Sequence, residues 1–332
     1  MSIGIGIIGA GVMGADHART VASAVGGAHL AALSDADADR AARVAAETGA
    51  RRCHADSMAL IADPAVDAVL IASPDATHAA FVLACLNAGK PVLCEKPLAA
   101  TLAEAEVIIA AEKALGRRLV QVGFMRRFDP AYAGMKARLD AGEIGPAVML
   151  HAVHRNAAVP PWFTSEMVIT NSAVHDIDVA RFLLGQEIVA ATVFAPPVPA
   201  GALRDRQFLV METAGGQLAT VELFVNAAYG YDVRAELVGE RGTLTRAPRD
   251  AVALRQSGRE SGAFALDWRG HFAAAYQRQL QAWVQSIRSA VPVGPSAWDG
   301  YAATAIATAC VGGLARGERV AVDIGTRPAL YD

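Results

Sequence analysis

The feature that most constrains this chain is the aliphatic run Ile3 to Ile8, which leads straight into Gly9-Ala10-Gly11-Val12-Met13-Gly14 and then into a segment of helical period. A G-x-G-x-x-G turn set between a strand and a helix has a physical purpose that a bare glycine pattern lacks. Gly9 permits the tight turn, Gly11 lets the main chain approach a pyrophosphate, and Gly14 allows the helix to pack closely on its strand. Val12 and Met13 open that helix, whose free N–H groups and positive dipole end suit phosphate oxygens. A glycine-rich turn with no ligand is the plainer alternative.

Asp35 closes the next aliphatic run, about twenty residues past the turn, where a carboxylate accepts hydrogen bonds from adenosine ribose hydroxyls. The same carboxylate repels a 2′-phosphate. NAD is therefore expected over NADP, with Arg40 a turn later softening the preference. The competing role for Asp35 is an N-cap of the following helix, which Asp37 or Asp39 could serve equally well.

Downstream, short aliphatic runs (His29 to Ser34, Ala68 to Ala72, Pro91 to Cys94, Leu119 to Gly123) alternate with helical segments such as Asp37 to Thr48, closed by Gly49, and Ala76 to Ala88, closed by Gly89. This rhythm predicts βαβ units, hence an α/β Rossmann domain with a doubly wound parallel sheet over residues 1–123. After Phe124 the pattern changes. One helix, Pro130 to Ala141, precedes strand signals at Ala147 to His154, Ile188 to Phe194, Gln207 to Thr213, Gln217 to Val225 and Asp232 to Val238, broken by a helix from about Ser172 to Leu184. Consecutive strands without intervening helices predict an α+β domain over residues 124–332 with a large, open, mostly antiparallel sheet. Helices at His271 to Ser289 and Asp299 to Leu314 end the chain.

Composition narrows the partners. The chain of 332 residues is 53% hydrophobic and 19% charged, which excludes disorder. Charge-free stretches such as Ile188 to Leu203 fall short of the about eighteen apolar residues of a membrane span, and this one carries Pro196, Pro197 and Pro199. A formal net charge of -3 with both signs well mixed argues against nucleic acid. Four cysteines without C-x-x-C spacing, and a start without a basic signal-peptide region, predict a cytoplasmic protein.

Two groups of residues are placed for chemistry. Ser73-Pro74-Asp75 and Glu95-Lys96-Pro97 follow two parallel strands, at the carboxyl edge where open α/β sheets bind ligands. Lys96 is thereby expected at the nicotinamide end of the cofactor; an ordinary surface ion pair is the alternative. In the second group, helical spacing puts Asn171, His175 and Asp178 on one face, and a histidine can take a hydroxyl proton near neutral pH. A capped helix with His175 as a satisfied buried residue is the competing reading. His175 with Asp178 could supply two metal ligands, but His151 and His154 face opposite sides of their strand and no third ligand appears by spacing, so no metal is expected.

The combination Gly9-x-Gly11-x-x-Gly14, Ser73-Pro74-Asp75-x-x-His78, Glu95-Lys96-Pro97 and the helix with His175 and Asp178 resembles the glucose-fructose oxidoreductase, inositol dehydrogenase and rhizopine-catabolism family over essentially the whole chain. Gly123-Phe124-Met125-Arg126-Arg127-Phe128-Asp129-Pro130, His154-Arg155-Asn156 and Tyr229-Gly230-Tyr231-Asp232 resemble its inositol 2-dehydrogenase branch. The resemblance implies NAD-dependent oxidation of a ring hydroxyl, myo-inositol to 2-keto-myo-inositol, in a homotetramer or dimer built through the open sheet. It makes Lys96 and His175 the proton-handling pair with Asn171 beside them. Arg126 or Arg127, Asn156 and Tyr231 would contact the polyol, while Gly9 to Gly14, Asp35, Ser73 to Asp75, His78 and Glu95 to Lys96 would hold the cofactor. Scyllo-inositol, another sugar or a sugar acid is the alternative substrate, and a non-catalytic NAD-binding sensor the alternative class. The family usually carries Asp where this chain has Asn171, and often Asn where it has Asp75. Asn171 orients an imidazole but supplies no charge to stabilise its protonated form.

Overall fold

The computed structural model describes residues 2–246, 253–257, 259–262 and 265–332. Its first part winds β1 (Ile3–Ile8), α1 (Val12–Ala24), β2 (Ala28–Ser34), α2 (Ala38–Thr48), β3 (Arg52–His54), α3 (Ser57–Ala62), β4 (Ala68–Ile71), α4 (His78–Asn87), β5 (Val92–Cys94), α5 (Leu102–Leu115) and β6 (Val120–Val122). The six strands are all parallel, in the order β3-β2-β1-β4-β5-β6. β4 and β5 are buried along their whole length, as a sheet covered on both faces requires.

Local chemistry sets the helix ends. Asp37 accepts from the Arg40 amide at the start of α2, Gly49 closes it at φ 71°, and Thr101 with Glu104 forms a reciprocal capping box on α5. Asp37, not Asp35, is therefore the cap, which removes the competing role for Asp35. The strand β3 and helix α3 are additions to the elements expected from sequence. β3 is three residues long and largely exposed, so it offers no apolar run to detect.

The second part holds α6 (Pro130–Asp140), β7 (Ala147–Arg155), α7 (Val174–Leu184), β8 (Ile188–Phe194), β9 (Arg206–Thr213), β10 (Leu218–Phe224), β11 (Asp232–Gly239), β12 (Gly242–Arg246), the hairpin β13 (Ala253–Gln256) and β14 (Arg259–Gly262), α8 (Trp268–Ser289), α9 (Ala297–Leu314) and β15 (Arg319–Ala321). Its seven-stranded sheet runs β12-β11-β7-β10-β9-β8-β15, antiparallel at every pairing except β10 with β7. Burial alternates along β9 and β10, the mark of a sheet with one covered and one open face.

By contacts the chain forms two compact units, residues 1–128, 274–304 and 325–332 in one, and 129–273 with 305–324 in the other. The return of α8 to the first unit has a plain cause: Leu280, Trp283 and Val284 join Ile5, Ile7, Leu33 and Leu70 in a single buried cluster. α8 is kinked at Phe272, just before this return. No helix among the described residues is long and apolar enough to cross a membrane.

Candidate active site

The glycine turn has the geometry its spacing calls for. Gly9 sits at φ 95°, and a Cβ there would meet the Ala72 carbonyl at 2.5 Å; a Cβ on Gly14 would lie 1.8 Å from the Gly9 carbonyl oxygen. Gly11, by contrast, has open space where a side chain would be, and no side chain caps α1 at this residue. Main-chain N–H groups at the start of α1 are thus presented to an open side, flanked by Val12, which is 61% exposed, and half-buried Met13. These residues fit a dinucleotide pyrophosphate.

Asp35 completes that cradle from β2. Its Oδ2 accepts the Ala10 amide at 2.5 Å, and its Oδ1 accepts the Asp37 amide at 2.8 Å and Arg40 Nη2 at 2.6 Å. Burial alone would raise this carboxyl, but the Arg40 hydrogen bond and the two amides outweigh it and hold Asp35 ionised below its ordinary range.

At the carboxyl edge of β4 and β5, Ser73 Oγ and Thr77 Oγ1 lie 2.6 Å apart beside the exposed Pro74 and Asp75. His78 is buried, with Nδ1 2.7 Å from the Pro97 carbonyl and Nε2 2.9 Å from that of Ser73. It ties the two loops together. Glu95 turns inward as well: Oε1 lies 2.8 Å from His17 Nε2, and a Cβ on Gly123 would collide with Oε2 at 2.7 Å. Among the residues expected to touch the cofactor, His78 and Glu95 thus make their hydrogen bonds inside the protein and position their neighbours.

The half-buried Lys96 differs from a surface ion-pair lysine. Burial pushes its ammonium below the ordinary range, the charges of Glu95 and Asp75 push back, and Arg126 adds to the lowering. Arg126 is 1% exposed and close enough to act on Lys96, whereas Arg127 is held by Asp299 at 2.8 Å. Of the two arginines, Arg126 is the one whose charge bears on Lys96.

In the second unit, residues Val168–Ala173 form a π-helical turn that runs directly into α7. A uniform helical spacing from Asn171 to His175 and Asp178 therefore does not apply, because Asn171 belongs to the wider turn. Nor is this a capped helix: Ala173 holds the N-cap position of α7 without a side-chain bond. Single π turns recur at functional sites because they turn one side chain out of the α register. Asn171 and His175 are half-buried, while Asp178 is fully buried.

Around them, His154 Nδ1 lies 2.7 Å from Asp176 Oδ2 in a buried pair, and Tyr231 packs edge-on to His154 at 5.9 Å and to His271 at 5.4 Å. Asn156 follows β7, and its Oδ1 is buried with no hydrogen-bond partner among the described residues. A buried acceptor left in this way is suited to a ligand hydroxyl. Among the described residues no cluster of three or more His, Cys, Asp or Glu could hold a metal ion.

Comparison with known proteins bears on the whole chain. Residues 3–124 match the oxidoreductase family with NAD-binding Rossmann fold, and residues 132–245 match the GFO/IDH/MocA C-terminal domain. Inositol 2-dehydrogenase 2 of Saccharopolyspora erythraea is 53% identical, covering 100% of this chain and 98% of the relative. The chain belongs to the glucose-fructose oxidoreductase, inositol dehydrogenase and rhizopine-catabolism family. Another member, inositol 2-dehydrogenase of Streptomyces avermitilis, is 45% identical over 99% of this chain and 97% of its own. Among solved structures, myo-inositol dehydrogenase from Lactobacillus casei in complex with NAD(H) and myo-inositol superposes with a TM-score of 0.95 at 33% identity, covering 100% of both chains. Scyllo-inositol dehydrogenase from the same organism, with NAD(H) and scyllo-inositol, gives 0.89 at 27% identity, over 97% and 99%.

Sequence reasoning missed His17 and Asp176. His17 lies one turn past Gly14 and could have been noticed as a polar residue on the buried face of α1. The pairing of Asp176 with a strand residue 22 positions away leaves no local signal.

Proposed function

We propose that this protein is an NAD-dependent dehydrogenase that oxidises a ring hydroxyl of a cyclic polyol, myo-inositol to 2-keto-myo-inositol. The observation that carries it is Lys96, a half-buried lysine with a lowered pKa, set at the carboxyl edge of a sheet whose glycine turn and Asp35 form a dinucleotide cradle. The full-length relatives named inositol 2-dehydrogenase support the choice of substrate.

In this reading Gly9 to Gly14, Asp35 and Ser73 to Asp75 hold NAD, which when bound supplies the hydride acceptor. His175 takes the proton of the reacting hydroxyl. Lys96 donates a hydrogen bond to the same oxygen and stabilises the negative charge that develops as the C–H bond breaks. Asn171 orients the imidazole; Arg126, Asn156 and Tyr231 bind the remaining hydroxyls. Configuration is then read by several directed hydrogen bonds, which reject an epimer that leaves one of them unmade.

The open face of the seven-stranded sheet supports assembly with further copies of the chain, as a tetramer or dimer. Phe194 and Phe208 are paired in register there and stay 52% and 40% exposed. A cytoplasmic location belongs to the same reading, since polyol oxidation by NAD draws on an intracellular cofactor pool.

The test is steady-state NADH formation with myo-inositol, scyllo-inositol and glucose. Preferred turnover of myo-inositol is expected; absence of turnover with all three overturns the reading.

A further inference from the structure

A carboxylate offers about four acceptor positions. Three of those on Asp35 are filled within the protein, by the amides of Ala10 and Asp37 and by Arg40 Nη2. The vicinal hydroxyls of an adenosine ribose ask for two. With Arg40 in place, the seat is one acceptor short.

Arg40 itself is under-used. Its Nε is buried without a hydrogen-bond partner among the described residues, and its Nη1 reaches only the Asp37 carboxylate at 3.8 Å. The guanidinium thus holds spare donors beside the carboxylate that recognises the ribose. Its side chain is 41% exposed, so it can turn without disturbing the core.

We propose that Arg40 is the cofactor-selectivity residue of this seat: it competes with the ribose hydroxyls of NAD for Asp35 and, released from Asp35, binds the 2′-phosphate of NADP. Resting on the dinucleotide reading above, this adds NADP as a second, weaker cofactor. Three carboxylates bear on the same place. Asp35 and Asp37 contact Arg40 and Asp39 precedes it in the first turn of α2, so their repulsion of the extra 2′-phosphate keeps NADP the weaker of the two. A guanidinium suits this double task, because its planar fork matches either a carboxylate or a phosphate.

Calorimetric binding of 5′-AMP and adenosine 2′,5′-bisphosphate to the full chain separates the parts of the proposal without relying on turnover. The wild type is expected to bind both, the bisphosphate within about tenfold of AMP. Arg40→Met should tighten AMP severalfold, by freeing an acceptor on Asp35, and weaken the bisphosphate at least tenfold. Arg40→Lys, which keeps the charge, should retain part of the bisphosphate binding. If Arg40→Met moves neither ligand, or moves both in one direction, Arg40 has no selectivity role. Binding of AMP but not the bisphosphate by the wild type also overturns the proposal and leaves the NAD reading standing. Failure to bind either ligand removes the dinucleotide seat itself.

Discussion

His17 Nε2 lies 2.8 Å from Glu95 Oε1, and both side chains are almost wholly buried. One contact thereby joins the helix behind the glycine turn to the strand end that presents Lys96. Burial would raise the Glu95 carboxyl, but its hydrogen bond and charge interaction with His17, helped by Lys96, hold it below the ordinary range. Removing one partner strands the other in a dry environment. Glu95→Gln and His17→Leu are each expected to cost about 3 kcal/mol, measured as a drop in the denaturant midpoint. Because the folded pKa is depressed, the stabilisation is complete above the ordinary glutamate range and lost as pH falls through the folded value. The gap between wild type and Glu95→Gln should therefore shrink below about pH 4.

Lys96 should govern the alkaline side of catalysis. Its burial and the neighbouring Arg126 lower its pKa, against the opposing pull of Glu95 and Asp75. If the ammonium is the form that polarises the substrate oxygen, turnover falls at a pH below the titration of a free lysine, near 10.4. Arg126→Met removes a repelling cation and should move that limb upward, while the polyol-binding role proposed for Arg126 predicts a raised KM. Lys96→Met should keep NAD binding and reduce kcat by about a thousandfold or more, in the range expected when a directed donor to a developing oxyanion is lost. Between the folded and unfolded pKa values of Lys96 the unfolded chain binds more protons. Stability of the wild type should thus gain from this residue with rising pH in the window where activity declines.

How much of this was legible in the sequence depends on the kind of signal. The glycine turn, Asp35 and the Glu95-Lys96-Pro97 loop were readable because strand-turn-helix punctuation fixes their place on a parallel sheet. The single helical face expected for Asn171, His175 and Asp178 is broken by the turn that holds Asn171, since an α-helical period cannot reveal a π turn in which one extra residue is accommodated. β12 and β15 were missed because their outward halves are polar and their runs short. The joining of α8 to the first unit rests on contacts such as Trp283 with the Ile5 cluster, more than 250 residues apart in the chain, which no local pattern announces.

The turn itself gives a sharp stability test. A Cβ at residue 14 would lie 1.8 Å from the Gly9 carbonyl, a contact with main chain that cannot be relieved by rotating a side chain. Gly14→Ala is expected to separate α1 from β1, abolish measurable NAD binding and lower the melting temperature by several degrees. Gly11→Ala meets nothing within the protein. It should leave the melting temperature close to wild type while weakening NAD, because the methyl group occupies space on the side open to the pyrophosphate. A fluorescence titration of both variants with NADH distinguishes the two outcomes.

Asn171 offers the most direct probe of how protons leave the substrate. It lies in the turn that feeds α7, four residues before His175. An amide can hold the imidazole in one orientation, but it adds no charge to favour the imidazolium once the hydroxyl proton has been accepted. Asn171→Asp is expected to make His175 more basic. Since a general base acts in its deprotonated form, the acid limb of the kcat/KM profile should then move to higher pH, lowering activity near pH 6. On the alkaline plateau the stronger base should raise kcat by severalfold. Asn171→Ala, lacking both orientation and charge, should lower kcat across the whole range without shifting the limb in that direction. A profile for Asn171→Asp that overlays the wild type would show that residue 171 has no electrostatic hold on His175, and would leave Lys96 as the group that sets the pH dependence.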